Sequence, residues 1–240
     1  MKTLLKLCFS TMMAWTLTSP ARADLILNGG FESGFASWTR VDQVGSDGTF
    51  ALQSGLVSPV NATPVPLPPG GTFAAMTDSL GPGSHLLYQD FTVLSTLSSA
   101  LLNFDLFIGN RADRFDSPST LDFSTPALNQ QARVDILLAS ASPFSVSPSD
   151  VLLSIFQTKS GDALVSGYST KSQDIAAVLN AHLNQPLRLR FSEADNEFTF
   201  QLGVDNVHIL ETPVPEPSYW IVTFGGLVAI FWLRRKSVAS

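Results

Sequence analysis

The chain has 240 residues, 45% of them hydrophobic, with a single cysteine. That residue, Cys8, lies near the N-terminus, so the remainder can form no internal disulfide and must be held by core burial or by a metal. From Asp24 to Val214 there are 8 Lys and Arg against 19 Asp and Glu, a net charge of −11, which excludes a nucleic-acid partner and suits solubility or divalent cations outside the cell.

At the N-terminus, Lys2 and Lys6 precede a short apolar stretch from Leu7 to Leu17, and Ala21-Arg22-Ala23 is a small-x-small site before Asp24. These are the parts of a secretory signal peptide, residues 1–23, with Ala21 and Ala23 as cleavage residues for signal peptidase. The stretch is too short, and too broken by Thr and Ser, to cross a hydrocarbon core of about 30 Å.

Residues 24–211 read as one secreted domain built of strands, because apolar residues recur with period two between Gly, Pro, Ser and Asn clusters. Strands are expected at 25–27, 49–53, 73–77 and 86–93, then at Leu102–Ile108 and Ala132–Leu138. Further strands are expected at 151–156, at Leu187–Phe191, where Arg188 and Arg190 alternate with apolar residues, and at Phe198–Leu202 continuing to Val207 and Ile209. A short helix is expected from Asp174 to His182, capped by Ser172 and ended before Pro186. Long polar or proline-rich loops are expected at 58–71, 110–129 and 141–149. This pattern predicts an all-β fold, a two-sheet antiparallel sandwich of jelly-roll type with one short helix.

Residues 212–218 form a proline-rich linker to an uncharged run, Tyr219–Leu233, which meets Arg234-Arg235-Lys236 in a basic tail, 234–240. At about 1.5 Å per residue the run reaches roughly 23 Å, enough for a thin transmembrane helix. The cations keep the tail cytoplasmic and the domain outside.

Two stretches carry resemblances. Pro215-Glu216-Pro217, the apolar run and Arg234-Arg235-Lys236, in that order, resemble the PEP-CTERM sorting signal of Gram-negative bacteria. The resemblance implies processing by an exosortase, anchorage in the inner membrane beforehand, and delivery to the cell surface or matrix with a link to exopolysaccharide or biofilm. Leu27-Asn28-Gly29-Gly30-Phe31-Glu32, with Trp38 downstream, and Gly203-Val204-Asp205-Asn206-Val207 resemble the first and last strands of galactose-binding-like jelly rolls, including carbohydrate-binding modules. That resemblance implies that Glu32 and Asp205 lie side by side and help to hold a structural calcium, to which Asp47 or Asp78 could add oxygens.

Catalytic chemistry is not legible. His85, His182 and His208 have no zinc spacing and read as ordinary strand or surface residues, and no GxSxG elbow or phosphate loop is present. Glu193, Asp195 and Glu197 could form an acid/base pair for glycoside hydrolysis but read as a solvated turn. Trp38 reads as core, and Tyr88 and Tyr168 remain as possible sugar platforms, with no ligand residue assigned. The expectation is a non-enzymatic surface or matrix protein. The alternatives are a carbohydrate-binding module that takes extracellular polysaccharide, and a glycoside hydrolase.

Overall fold

The computed structural model describes residues 23–78 and 80–214. Ala21, Pro215, Glu216, Pro217, the apolar run and Arg234, Arg235 and Lys236 lie outside them. Among the described residues no helix is long and apolar enough to cross a membrane.

The fold is all-β: eleven strands and one helix are found among the described residues. One sheet has the order β3 (Thr49–Gln53), β4 (Ala74–Asp78), β11 (Phe200–Pro213), β6 (Leu97–Asn110), β9 (Ser169–Asp174), with β1 (Ala23–Asp24) also paired to β11. The second has the order β2 (Thr39–Asp42), β5 (Gly83–Thr92), β10 (Pro186–Asp195), β7 (Gln130–Leu138), β8 (Val151–Gln157). All pairings are antiparallel. Only β3–β4 and β7–β8 are consecutive neighbours within a sheet; every other connection crosses to the opposite sheet, as in a jelly roll.

The expected alternation explains the core. Leu87 and Phe91 of β5, Leu187, Leu189 and Phe191 of β10, and Val134 and Ile136 of β7 point inward against Leu102, Phe104, Leu106, Leu202 and Val204 of the other sheet. Phe104 meets Phe191 edge-on at 5.3 Å, Phe191 meets Trp38 at 6.1 Å, and Trp38 meets Phe31 at 5.3 Å, so a chain of rings crosses the interior. Trp38 is core, as expected, and its indole N–H donates to the Asn28 carbonyl at 3.0 Å.

Four expectations change. β2 and β9 were not expected; TRVD and STKSQD carry almost no alternating apolar residues, because each is an edge strand held by its neighbour's backbone ladder. The expected strand at 25–27 becomes β1 at Ala23–Asp24, and the Gln89 side-chain amide takes both the N–H and the C=O of Leu27 in place of a strand partner. Ser172 lies in β9, and the helix α1 (Ala176–Ala181) is entered instead through the Ala176 N–H bonded to Asp174 Oδ1 at 2.9 Å. The strand expected to start at Phe198 starts at Phe200, and between Leu202 and Val207 the continuous β11 carries a bulge, where Asn206 has φ of 50°.

Candidate functional site

The two resembling motifs are brought together. The Val207 N–H donates to the Gly29 carbonyl at 3.0 Å, and a Cβ on Gly29 would strike the Val207 carbonyl oxygen, so the first loop sits directly on the β11 bulge. Glu32 and Asp205 then grip one turn. Glu32 Oε1 accepts from the Thr72 and Phe73 N–H groups at 2.7 and 2.9 Å, and Asp205 Oδ2 accepts from Gly70 N–H at 3.1 Å. Those bonds from Phe73 and Thr72 hold the Glu32 carboxyl below its ordinary value, while burial, with Asp105 and Glu32 as like-charged neighbours, pushes Asp205 up to about 6. Asp105 faces Asp205 across the β6–β11 ladder, and its Oδ2 accepts from the Asn206 amide at 2.8 Å. Glu32, Asp105 and Asp205 offer oxygen donors only, the kind a hard cation such as calcium takes, but Glu32 and Asp205 are engaged by the backbone N–H groups of the turn and the three carboxylates do not converge within 4.8 Å of one another.

A second feature is an open groove of about 770 Å³ between the edges β2 and β3, lined by Phe35, Trp38, Arg40, Asp42, Gly48 and Thr49 among others. The Arg40 guanidinium lies 4.4 Å from the Phe35 ring centroid and donates to the Phe50 carbonyl at 2.8 Å, so both are held in place. Asp42 stands at the far end, with Oδ1 2.8 Å from His85 Nδ1.

The third feature overturns two expectations. Glu193 and Asp195 are not in a solvated turn; β10 continues through them and both are 1% exposed, while the turn follows at 196–199. His85, expected to be an ordinary residue, is fully buried on β5 and faces Glu193 across the ladder. Donor atoms of His85, Glu193 and Asp195 all lie within 4.8 Å of one another. Burial raises the Glu193 carboxyl well above its ordinary value, with Asp195 adding to it, and burial pushes Asp195 up to about 7. Glu197 is separate, in the following turn, 3.6 Å from Arg114.

The signal for this cluster was parity. Leu187, Leu189 and Phe191 point inward, so Glu193 and Asp195, on the same alternation, must point inward too unless the strand ends first.

The outer face of the second sheet is covered. Arg190 lies on it fully buried, bonded to Asp135 at 2.5 Å and to the carbonyls of Pro143 and Ser145 at 2.6 and 2.7 Å. Leu86 and Ala194 pack with Leu121, and Phe144 and Val146 pack against them, so the loops at 111–129 and 139–150 occupy the face on which a sugar could otherwise lie. Tyr88 is stacked by the Arg188 guanidinium at 3.9 Å, and Tyr168 donates to Gln53 at 3.0 Å beside Phe107. One face of the Tyr88 ring is thus covered, as one face of Phe35 is by Arg40, and Tyr168 is packed against Phe107.

No protein-family model and no curated protein sequence matches the chain. Among solved structures it is similar to the K3 cleaved adhesin domain of Lys-gingipain from Porphyromonas gingivalis W83, with 12% identity and a TM-score of 0.44 over 79% of this chain and 99% of that one. It is similar to TmCBM61, solved with β-1,4-galactotriose, with 11% identity and a TM-score of 0.43 over 79% and 99%. It is also similar to CBM28, a carbohydrate-binding module specific for non-crystalline cellulose, with 9% identity and a TM-score of 0.44 over 79% and 97%. At these identities and TM-scores no residue role and no ligand passes from those proteins to this chain.

Proposed function

We propose that this chain is an exported, non-enzymatic protein of the cell surface or extracellular matrix, sorted through its C-terminal signal, whose β-sandwich engages extracellular polysaccharide in the groove between β2 and β3. The observation that carries the binding reading is the groove itself. It holds an aromatic ring, Phe35, with the fixed Arg40 guanidinium over one of its faces, and Asp42 and Thr49 among its lining residues. A sugar presents an apolar C–H face and a rim of hydroxyls, and that combination of ring and polar groups suits both.

Export rests on the sequence signals, and the fold is compatible with cleavage before Asp24. Its carboxylate accepts from the Ile26 and Ile209 N–H groups, each at 3.0 Å, and meets His208 at 2.6 Å, so the chain is engaged in the fold from its first mature residue. A structural calcium at Glu32 and Asp205 belongs to the same reading, as a clamp on the 70–73 turn.

A hydrolase reading has less support, because Glu193 and Asp195 are buried between the sheets where a glycan cannot reach them. The test is calorimetric titration of residues 24–214 with soluble extracellular polysaccharides, including that of the source bacterium. Phe35→Ala and Arg40→Ala should each weaken binding about tenfold or more while the fold is kept. Absence of binding, or binding equal in both variants, would overturn the groove.

A further inference from the structure

His85, Glu193 and Asp195 occupy a stretch of the second sheet's inner face where the apolar core gives way to ionisable groups. Along β5 and β10 the inward pair Leu87 and Phe191 is followed by His85 and Glu193, then by Gly83 and Asp195. His85 Nε2 has no hydrogen-bond partner among the described residues, and the Glu193 oxygens, whose polar neighbour is Asp195, have none while both acids are ionised, although the three side chains are 0–1% exposed. Unpartnered polar atoms at this depth are uncommon, and three converging on one point call for a ligand.

Two further features point the same way. Asp42 Oδ1, 2.8 Å from His85 Nδ1, fixes the proton on that nitrogen and leaves the Nε2 lone pair free toward the acids, the carboxylate–histidine arrangement that orients metal-binding imidazoles. At Gly83 a Cβ would collide with His85 Nε2, so glycine keeps the space between His85 and Asp195 clear. The Gly83 N–H donates to Asp195 Oδ1 at 2.9 Å and steadies that carboxylate. Asp47 stands at the rim, its Oδ2 accepting from Leu80 N–H at 3.0 Å.

We propose that His85 Nε2, Glu193 and Asp195 form a buried binding site for one divalent transition-metal ion of the zinc and manganese class, a staple between β5 and β10 in a domain without cysteine. Imidazole nitrogen with two carboxylates is a donor set for such ions, whereas calcium takes oxygen ligands. Two carboxylates balance the charge of the ion, so the occupied cluster is neutral in the interior. The groove reaches Asp42, which touches His85 at Nδ1. The site is independent of whether the groove takes sugar.

The experiment uses residues 24–214 in saturating calcium, which keeps the Glu32–Asp205 clamp out of the comparison. The protein is stripped of transition metal, dialysed against Zn2+, Mn2+ or Co2+, and examined by native mass spectrometry, thermal melting and the visible spectrum of the Co2+ form. The expected result is one tightly held ion per chain, a raised melting point, and a Co2+ ligand-field spectrum. Glu193→Gln and His85→Ala should abolish the spectrum, and Asp42→Asn, which touches no metal, should weaken affinity by about 10- to 100-fold. A folded wild-type chain that takes up no ion, or variants that bind as tightly as wild type, would overturn the proposal. The wild-type measurement decides it even if a variant fails to fold, and a metal-free wild type would leave Glu193 and Asp195 as a proton-sharing pair.

Discussion

Arg190 shows how much a single residue can hold. Its guanidinium, fully buried, joins Asp135 on β7 to the carbonyls of the loop at 143–145, and burial holds it below its ordinary range. Asp135 also takes Arg133 at 3.0 Å, so one interior carboxylate serves two cations. Removing one partner of a buried pair strands the other charge. Asp135→Leu leaves both Arg190 and Arg133 without their carboxylate and is therefore expected to cost about 3–5 kcal/mol, more than Arg190→Met, which leaves Asp135 paired with Arg133, as read from urea unfolding midpoints. A larger loss in Arg190→Met would show that the loop contacts, not the charge, dominate.

At the scale of elements, β10 has two chemical halves: an apolar half, Leu187–Phe191, that belongs to the core, and an acidic half, Glu193–Asp195, that does not. In the metal-free chain both raised carboxyls bind protons in the folded state at pH values where the unfolded chain has released them. Their contribution to stability is complete below the ordinary values of 4.5 and 3.8, and it is lost as pH rises through about 7, the value of Asp195. Melting of the metal-free protein should therefore fall between about pH 5 and about pH 8, and Glu193→Gln should flatten the decline. A midpoint that rises over that interval would contradict the burial of the pair. The helix teaches a related point: Ser172 looked like a cap by type, but the six-residue α1 follows directly on β9, and the acceptor that meets its first turn is Asp174.

At the scale of the whole molecule, the two sheets are tied together by crossing connections and by the contact of the Asn28–Glu32 loop with the β11 bulge. A calcium ion at Glu32 and Asp205 would lock that contact to the 70–73 turn. The melting point should rise with calcium and fall with a chelator, and the difference should vanish in Glu32→Ala, Asp205→Ala, because an ion bound only by the native state stabilises it. No shift in the wild-type chain would leave the backbone N–H bonds to the two carboxylates as the whole of that clamp.

Period-two alternation was enough to establish from the sequence an all-β, two-sheet sandwich with one helix, because a strand with one face buried must repeat every second residue. The core positions of β6, β7 and β10 follow from that pattern, the less regular strands expected at 49–53 and 151–156 are found at Thr49–Gln53 and Val151–Gln157, and the Gly29–Val207 contact joins the two motifs already legible at the ends of the domain. Edge strands β2 and β9 were not legible, since their order comes from a neighbour's hydrogen bonds and not from an apolar face of their own. Tertiary structure alone decided the rest. Whether Glu193 and Asp195 face solvent depends on where β10 ends, His85 joins them only through the β5–β10 register, and the loops that close the outer face of the second sheet are set by contacts far apart in the chain. Local pattern dictates which face of a strand is apolar; which side chains share a point in the interior is dictated by register between strands distant in sequence.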